Sequence, residues 1–180
     1  MNAKRGTLLV LSLIVIVTAA AGIPWYVASE DAQRPPADEQ RITLPLPSGV
    51  TLESLERVEV HDIIDGDTIQ IRKDGDLSPV RYFGIDTPER GERCYREALD
   101  RNEQLLTDDI YLLPDERDND GQRPLRYIFL EDGTSLDATL VAEGFAYAWR
   151  RDGRYRDKIV ALEEEAKANG RGCLWAPHDQ

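Results

Sequence analysis

The sequence predicts a mainly β domain with α-helices. The barrel is small and closed, five strands with one helix inserted after the third and two more near the end, behind an N-terminal hydrophobic helix. Three observations predict it. Short runs in which apolar and polar residues alternate are separated by turn sequences such as DGD and EDG, as half-buried strands would be. One stretch with three- and four-residue apolar spacing falls between the third and fourth of these runs. Residues 7–28 carry no charge.

Thr7 to Ala28 is 22 residues long, and at a helical rise of about 1.5 Å per residue it spans roughly the 30 Å of a bilayer's hydrocarbon layer. Lys4 and Arg5 precede it, so the amino terminus is expected inside the cell and everything downstream outside. Two readings of the segment stand. Ile23, Trp25, Tyr26 and Val27 continue the apolar run with residues suited to a membrane interface, which favours a retained signal anchor. Thr18, Ala19, Ala20 and Ala21 are small residues of the kind a signal peptidase accepts, and cleavage there would secrete the protein. Export follows from both. Residues 29–54 are polar and broken by prolines and read as a linker, so the globular domain is expected over 55–177.

Within it, Val58, Val60 and Ile63 alternate with charged residues as a first strand. DGD turns into a second strand, Thr68 to Arg72, and KDGD turns into a third, Ser78 to Ile85. Tyr95, Ala98, Leu99, Asn102, Leu105 and Leu106 mark one face of the inserted helix. Ile110 to Leu113 and Leu125 to Leu130 are the fourth and fifth strands, separated by the polar loop PDERDNDGQRP. Leu136, Leu140 and Val141 belong to a short helix capped by Ser135 and stopped by Gly144, followed by an extended stretch, Phe145 to Trp149. Tyr155, Ile159, Leu162 and Ala166 line a last helix ending at Asn169 and Gly170, after which Cys173, Leu174 and Trp175 fold back on the core. This order fits an OB-fold barrel better than any parallel-sheet design.

The chemistry concentrates at the two hairpin ends. If the second and third strands pair antiparallel, Asp67 and Asp86 come together at one sheet edge with Thr68, Thr87 and Glu89 nearby. Such a cluster suits a hard cation bound through oxygen. The net charge of −12 opposes a generic grip on polyanions, and 18 arginines against 4 lysines are compatible with a surface adapted to high salt.

In order and spacing, DGDT at Asp65 to Thr68, Arg81, DTPE at Asp86 to Glu89, Arg123 before LRYIFLEDG, and the closing helix with Leu174 and Trp175 resemble the staphylococcal nuclease (thermonuclease) family. The resemblance covers nearly all of Val58 to Trp175. It implies an SNase-like OB-fold and a Ca2+-dependent phosphodiesterase acting on DNA or RNA. It also implies that Asp67 and Asp86 are metal ligands through their carboxylates and Thr87 through its carbonyl. Glu89 would orient or deprotonate water, while Arg81 and Arg123 hold the scissile phosphate. Those types suit the reaction: a phosphodiester needs its anionic oxygens neutralised, and the planar fork of arginine can meet two of them. Arg81 and Asp86 are five residues apart, which in a flat strand puts them on opposite faces, so a bulge or sharp coil is expected, most simply at Gly84.

Several features depart from the family. Only RGERC separates Glu89 from Tyr95, where well-known members carry a longer, lysine-containing loop. Gly121 and Gln122 replace a tyrosine and glycine before the second arginine, removing an aromatic from the nucleotide site. Arg150 and Arg151, with Arg154 and Arg156, form a local basic run, either contacting substrate phosphates or balancing Asp152 and Asp157. Glu116, Asp118, Asp120 and Gly121 imitate an EF-hand opening, but Tyr127 stands where its closing glutamate belongs. His61 and His178 lack metal or triad partners. Cys94 and Cys173, an even count in an exported domain, either pair, closing a loop worth about 4 kcal/mol, or remain separate thiols. A non-catalytic barrel binding nucleic acid or a protein partner, and a calcium-binding structural module, are the competing functions.

Overall fold

Asp65 and Thr68 face each other across a two-residue turn, and the hairpin that this turn closes starts the barrel. The computed structural model describes residues 41–177, so the proposed anchor at 7–28, the first part of the linker and His178 lie outside the described residues. Among the described residues no helix is long and apolar enough to cross a membrane.

Strand β1 (Glu56–Asp65) pairs antiparallel with β2 (Thr68–Lys73), and β2 with β3 (Asp76–Tyr82). The β2–β3 turn needs positive φ at both central residues, and Asp74 (φ 52°) and Gly75 (φ 91°) supply it. A two-residue strand β4 (Ile85–Asp86) leads to helix α1 (Tyr95–Leu105), which buries Tyr95, Ala98 and Asn102. Strands β5 (Asp109–Leu113) and β6 (Leu125–Phe129) complete a closed barrel in the order β1-β2-β3-β6-β5. Its one parallel seam, β3 against β6, was not foreseen from the sequence. Strand β5 runs antiparallel to β1, and therefore opposite to β3, and β6 turns back against β5, so β6 runs alongside β3 in the same direction.

Helix α2 (Leu136–Ala142) is buried along its whole length; Ser135 caps it, its Oγ accepting the Ala138 N–H at 3.4 Å. Strand β7 (Tyr147–Ala148) pairs with β4 in a separate two-stranded sheet. Helix α3 (Arg156–Ala168) follows, and a short fourth helix, α4 (Gly172–Trp175), adds to the three expected. The core joins Ile69, Val80, Tyr82 and Phe83 to Tyr127, Ile128, Leu140 and Ile159.

The linker expectation fails over its described part. Leu44 is 5% exposed and belongs to the core, the Ser135 N–H donates to Ile42 O at 2.8 Å, and the Tyr155 hydroxyl donates to Pro45 O at 2.6 Å. Ile42, Leu44 and Leu46 alternate with exposed residues, but over a run too short and too proline-broken to be read as a strand. Between prolines they nevertheless make an extended brace over the barrel, followed by a single 3-10 turn at Leu52–Ser54.

Candidate active site

Asp67 is fully buried at the β1–β2 turn, and everything around it is tied to the two flanking strands. Its main-chain N–H donates to Asp65 Oδ1 at 3.1 Å, and its carbonyl accepts the Tyr82 N–H at 2.8 Å. Its Oδ2 accepts the Thr87 N–H at 2.7 Å, while its Oδ1 faces Arg81 Nη1 at 2.5 Å and accepts the Thr68 hydroxyl at 3.2 Å. Register explains this: Thr68 lies opposite Arg81, so a residue from each end of the hairpin meets at one corner.

The ladder breaks where parity required. Strand β3 stops at Tyr82, Gly84 takes φ 85°, and the chain resumes pairing at Ile85 with β7 instead of β2. The kink lets Arg81 Nη2 reach Asp86 Oδ1 at 2.5 Å, so one guanidinium, 14% exposed, stands between the buried Asp67 and the 53% exposed Asp86. A Cβ on Gly66 would meet Thr87 Oγ1 at 2.8 Å, so the turn glycine is what lets the DGDT and DTPE segments touch.

Arg123 arrives through the parallel seam. The Arg81 N–H donates to Pro124 O at 3.0 Å, which sets the residue before Pro124 beside Arg81. Asp120 holds the Nε and Nη2 of Arg123 at 3.0 and 2.8 Å, leaving Nη1 to donate to Thr68 Oγ1 at 3.2 Å. Partial burial alone would raise the Asp120 carboxyl. The N–H groups of Arg123 and Gln122 and the Arg123 guanidinium outweigh it and bring the carboxyl down to about 2. Asp67 goes the other way: burial raises it to about 7 although Arg81 and the Thr87 N–H oppose the shift. Glu89 is exposed, three residues beyond Asp86 on the loop toward α1.

Two buried polar residues that sequence reasoning assigned no role support this corner. Asn102 takes the Tyr82 hydroxyl on Oδ1 at 2.9 Å and donates Nδ2 to Asp65 O at 3.2 Å, holding the DGDT turn from beneath. The available signal was an amide on the otherwise apolar face of α1. Glu163 of α3 accepts the Ala148 N–H at 2.9 Å and so anchors β7, the partner of Asp86's strand.

The basic run does not converge on the site as free charge. Arg150 is bound by Glu163 and Glu164, Arg154 by Asp115 and Arg156 by Asp157, while Arg151 lies over the Trp149 ring at 5.0 Å. Asp152 pairs instead with Arg117 at 3.2 Å. The EF-hand imitation dissolves likewise: Asp118 pairs with Arg126 and Asp120 with Arg123. His61 is exposed, its Nδ1 3.0 Å from Arg72 Nη2.

A five-stranded barrel with paired carboxylates and two arginines at one mouth defines a class, and the comparisons agree with it. Residues 79–177 match the family described as staphylococcal nuclease homologue, and the chain belongs to that family. It is 34% identical over 129 residues to the SPbeta prophage-derived endonuclease YokF of Bacillus subtilis, covering 64% of this chain and 43% of that protein. It is 33% identical over 136 residues to the endonuclease YncB of the same organism, covering 68% and 64%. With the thermonuclease of Staphylococcus hyicus it shares 30% over 130 residues, 67% and 76% of the two chains. The chain therefore spans less than two thirds of the first two relatives.

Proposed function

We propose that this domain is a nuclease that hydrolyses phosphodiester bonds of DNA or RNA with little sequence preference, depends on Ca2+, and works outside the cytoplasm. The N-terminal segment would tether it to the membrane, or leave it secreted if cleaved. The observation that carries the reading is the convergence of Arg81 and Arg123 on the Asp67–Thr68 corner, with Asp86 opposite and Glu89 just beyond. Relatives named as endonucleases and thermonucleases support it.

The donor set fits a hard cation. It contains only oxygen, and the two carboxylates of Asp67 and Asp86 already converge on one positive group, the Arg81 guanidinium. Asp86 stays open to water, which suits an ion that keeps part of its hydration. Asp67, Asp86 and the Thr87 carbonyl would hold calcium. When bound, the ion supplies charge neutralisation for the phosphoryl oxygens and acidifies water.

The chain's own groups account for the rest. Arg81 sits at the mouth with a planar fork now divided between two carboxylates, and it can exchange one of them for a phosphate oxygen. Arg123, its other edge clamped by Asp120, presents Nη1 alone. Glu89 takes a proton from the attacking water as the water oxygen bonds to phosphorus and the ester P–O bond breaks, the departing oxygen taking a proton from solvent.

The test is cleavage of single-stranded DNA and RNA by the full chain, with calcium and with chelator. Glu89→Gln is expected to lower kcat by about 10²–10⁴-fold. Equally little cleavage by wild type and Glu89→Gln over a broad range of salt would reject the nuclease. The net charge and the loss of the nucleotide-site tyrosine favour a second reading, a non-catalytic barrel for nucleic acid or a protein partner, which predicts binding without cleavage in the same assay.

A further inference from the structure

The loop that carries Glu89 is short and fastened at every step. The Glu89 N–H donates to Glu92 Oε2 at 2.8 Å and the Glu92 N–H returns to Glu89 O at 2.9 Å, closing the turn on itself. The Arg90 guanidinium stands over the Tyr95 ring at 5.7 Å. Arg93 Nη2 donates to Cys173 O and, at 3.3 Å, to Leu174 O. Cys94, 3% exposed and at φ 71°, forms a disulfide with Cys173 across a Cα–Cα distance of 5.7 Å.

Helix α4, which receives both fasteners, is itself seated on the barrel's central helix. The Leu174 N–H donates to Gly144 O at 3.2 Å and Arg171 Nη1 to Ala142 O at 3.2 Å. A Cβ on Gly172 would meet the carbonyl oxygens of Glu143 and Gly144 at 2.3 and 2.4 Å, so the approach is as close as glycine permits. A chain of rigid contacts thus runs from buried α2 through α4 to the residues just behind Glu89.

We propose that Arg93, acting with the Cys94–Cys173 bridge, is a positioning residue that fixes the placement of the Glu89 loop against the site. The proposal rests on the nuclease reading above. The bridge pins one point of the loop but permits rotation about it. The Arg93 Nη2 group, held on two successive carbonyls, removes that rotation. Arg93 is exposed, so its hydrogen bonds add little to global stability; their effect falls on orientation, where small displacements of a reacting group are costly.

Arg93→Ala in the full chain is expected to lower kcat on the order of ten-fold. KM, the calcium midpoint and Tm should stay near wild type, and Arg93→Lys should recover part of the loss. Amide exchange at Glu92 and Tyr95 is expected to quicken on the order of ten-fold in Arg93→Ala while Ile69 and Ile128 stay protected. This second readout needs no catalysis. If the wild type fails to cleave, the nuclease reading falls and exchange alone decides whether Arg93 fixes the loop. Unchanged exchange, or an unchanged kcat in an active enzyme, would overturn the proposal. Cys94→Ser/Cys173→Ser should move kcat and exchange in the same direction with a lower Tm, and Arg93→Ala carries the test if that double variant does not fold.

Discussion

Asp137 is a fully buried carboxyl at the start of α2. Its Oδ2 accepts the Ile128 N–H at 2.7 Å and its Oδ1 has no partner. Burial pushes it well above the ordinary carboxylate range, with the Ile128 N–H opposing and the charge of Asp67 adding to the rise. The folded protein therefore holds a proton that the unfolded chain has lost, and stability falls as pH rises above the usual carboxylate range of about 4. Asp137→Asn keeps the acceptor for Ile128 and cannot ionise. It is expected to match wild type near pH 4 and to exceed it near pH 8, by an amount read from urea denaturation at the two values; parallel pH profiles would refute this. Residues such as Asp137, Asn102 and Glu163 escaped the sequence reading for one reason. Each satisfies main-chain groups 9, 37 and 15 residues away, a pairing that only the assembled fold creates. The convergence of Asp67 and Asp86 on one corner was legible because DGDT and DTPE sit at strand ends whose pairing the intervening turn dictates.

Among the elements, the β3–β4 junction was the most demanding inference and the best constrained. Parity alone demanded a break between Arg81 and Asp86, and Gly84 was the residue able to supply it. Its φ of 85° disfavours a side chain, and a Cβ there would stand 2.9 Å from Ile159 Cδ1 and 3.2 Å from Tyr127 Cε1. Gly84→Ala is therefore expected to cost about 1–3 kcal/mol in urea unfolding. Cleavage should fall further than the folded fraction, because the kink is what lets Arg81 reach Asp86. A variant with wild-type unfolding and activity would show the kink dispensable. The brace at Ile42–Leu46 and the parallel β3–β6 seam were not legible. The first is a three-residue alternation broken by prolines, and the second depends on β5 running back against β1 before β6 turns. Five strands and the main helices needed only alternation, apolar spacing and turn residues, all written locally.

At the scale of the whole molecule the puzzle is charge. Under the proposed function a chain of net −12 approaches a polyanion, while Arg150, Arg154 and Arg156 of its local basic run are bound to Glu163, Glu164, Asp115 and Asp157. Among the described residues, Arg81 and Arg123 are the arginines that meet at the Asp67–Thr68 corner proposed to receive the phosphate. Each phosphate neutralised on a single strand contributes about −0.7 to the slope of log K against log salt, so two arginines give a slope of about −1.4. Binding of a single-stranded oligonucleotide to Glu89→Gln, measured from about 0.05 to 1 M salt, is expected to follow that shallow line, and salt also screens the repulsion of the acidic surface. A slope several times steeper would mean that Arg150, Arg154 or Arg156 release their carboxylates, or Arg151 leaves the Trp149 ring, for substrate, restoring the contact that the position of Arg150 and Arg151 after β7 first suggested. A shallow slope would make this a domain that holds nucleic acid through a few contacts at its catalytic corner. Such a domain would keep working at salt concentrations that strip a basic nuclease from its substrate.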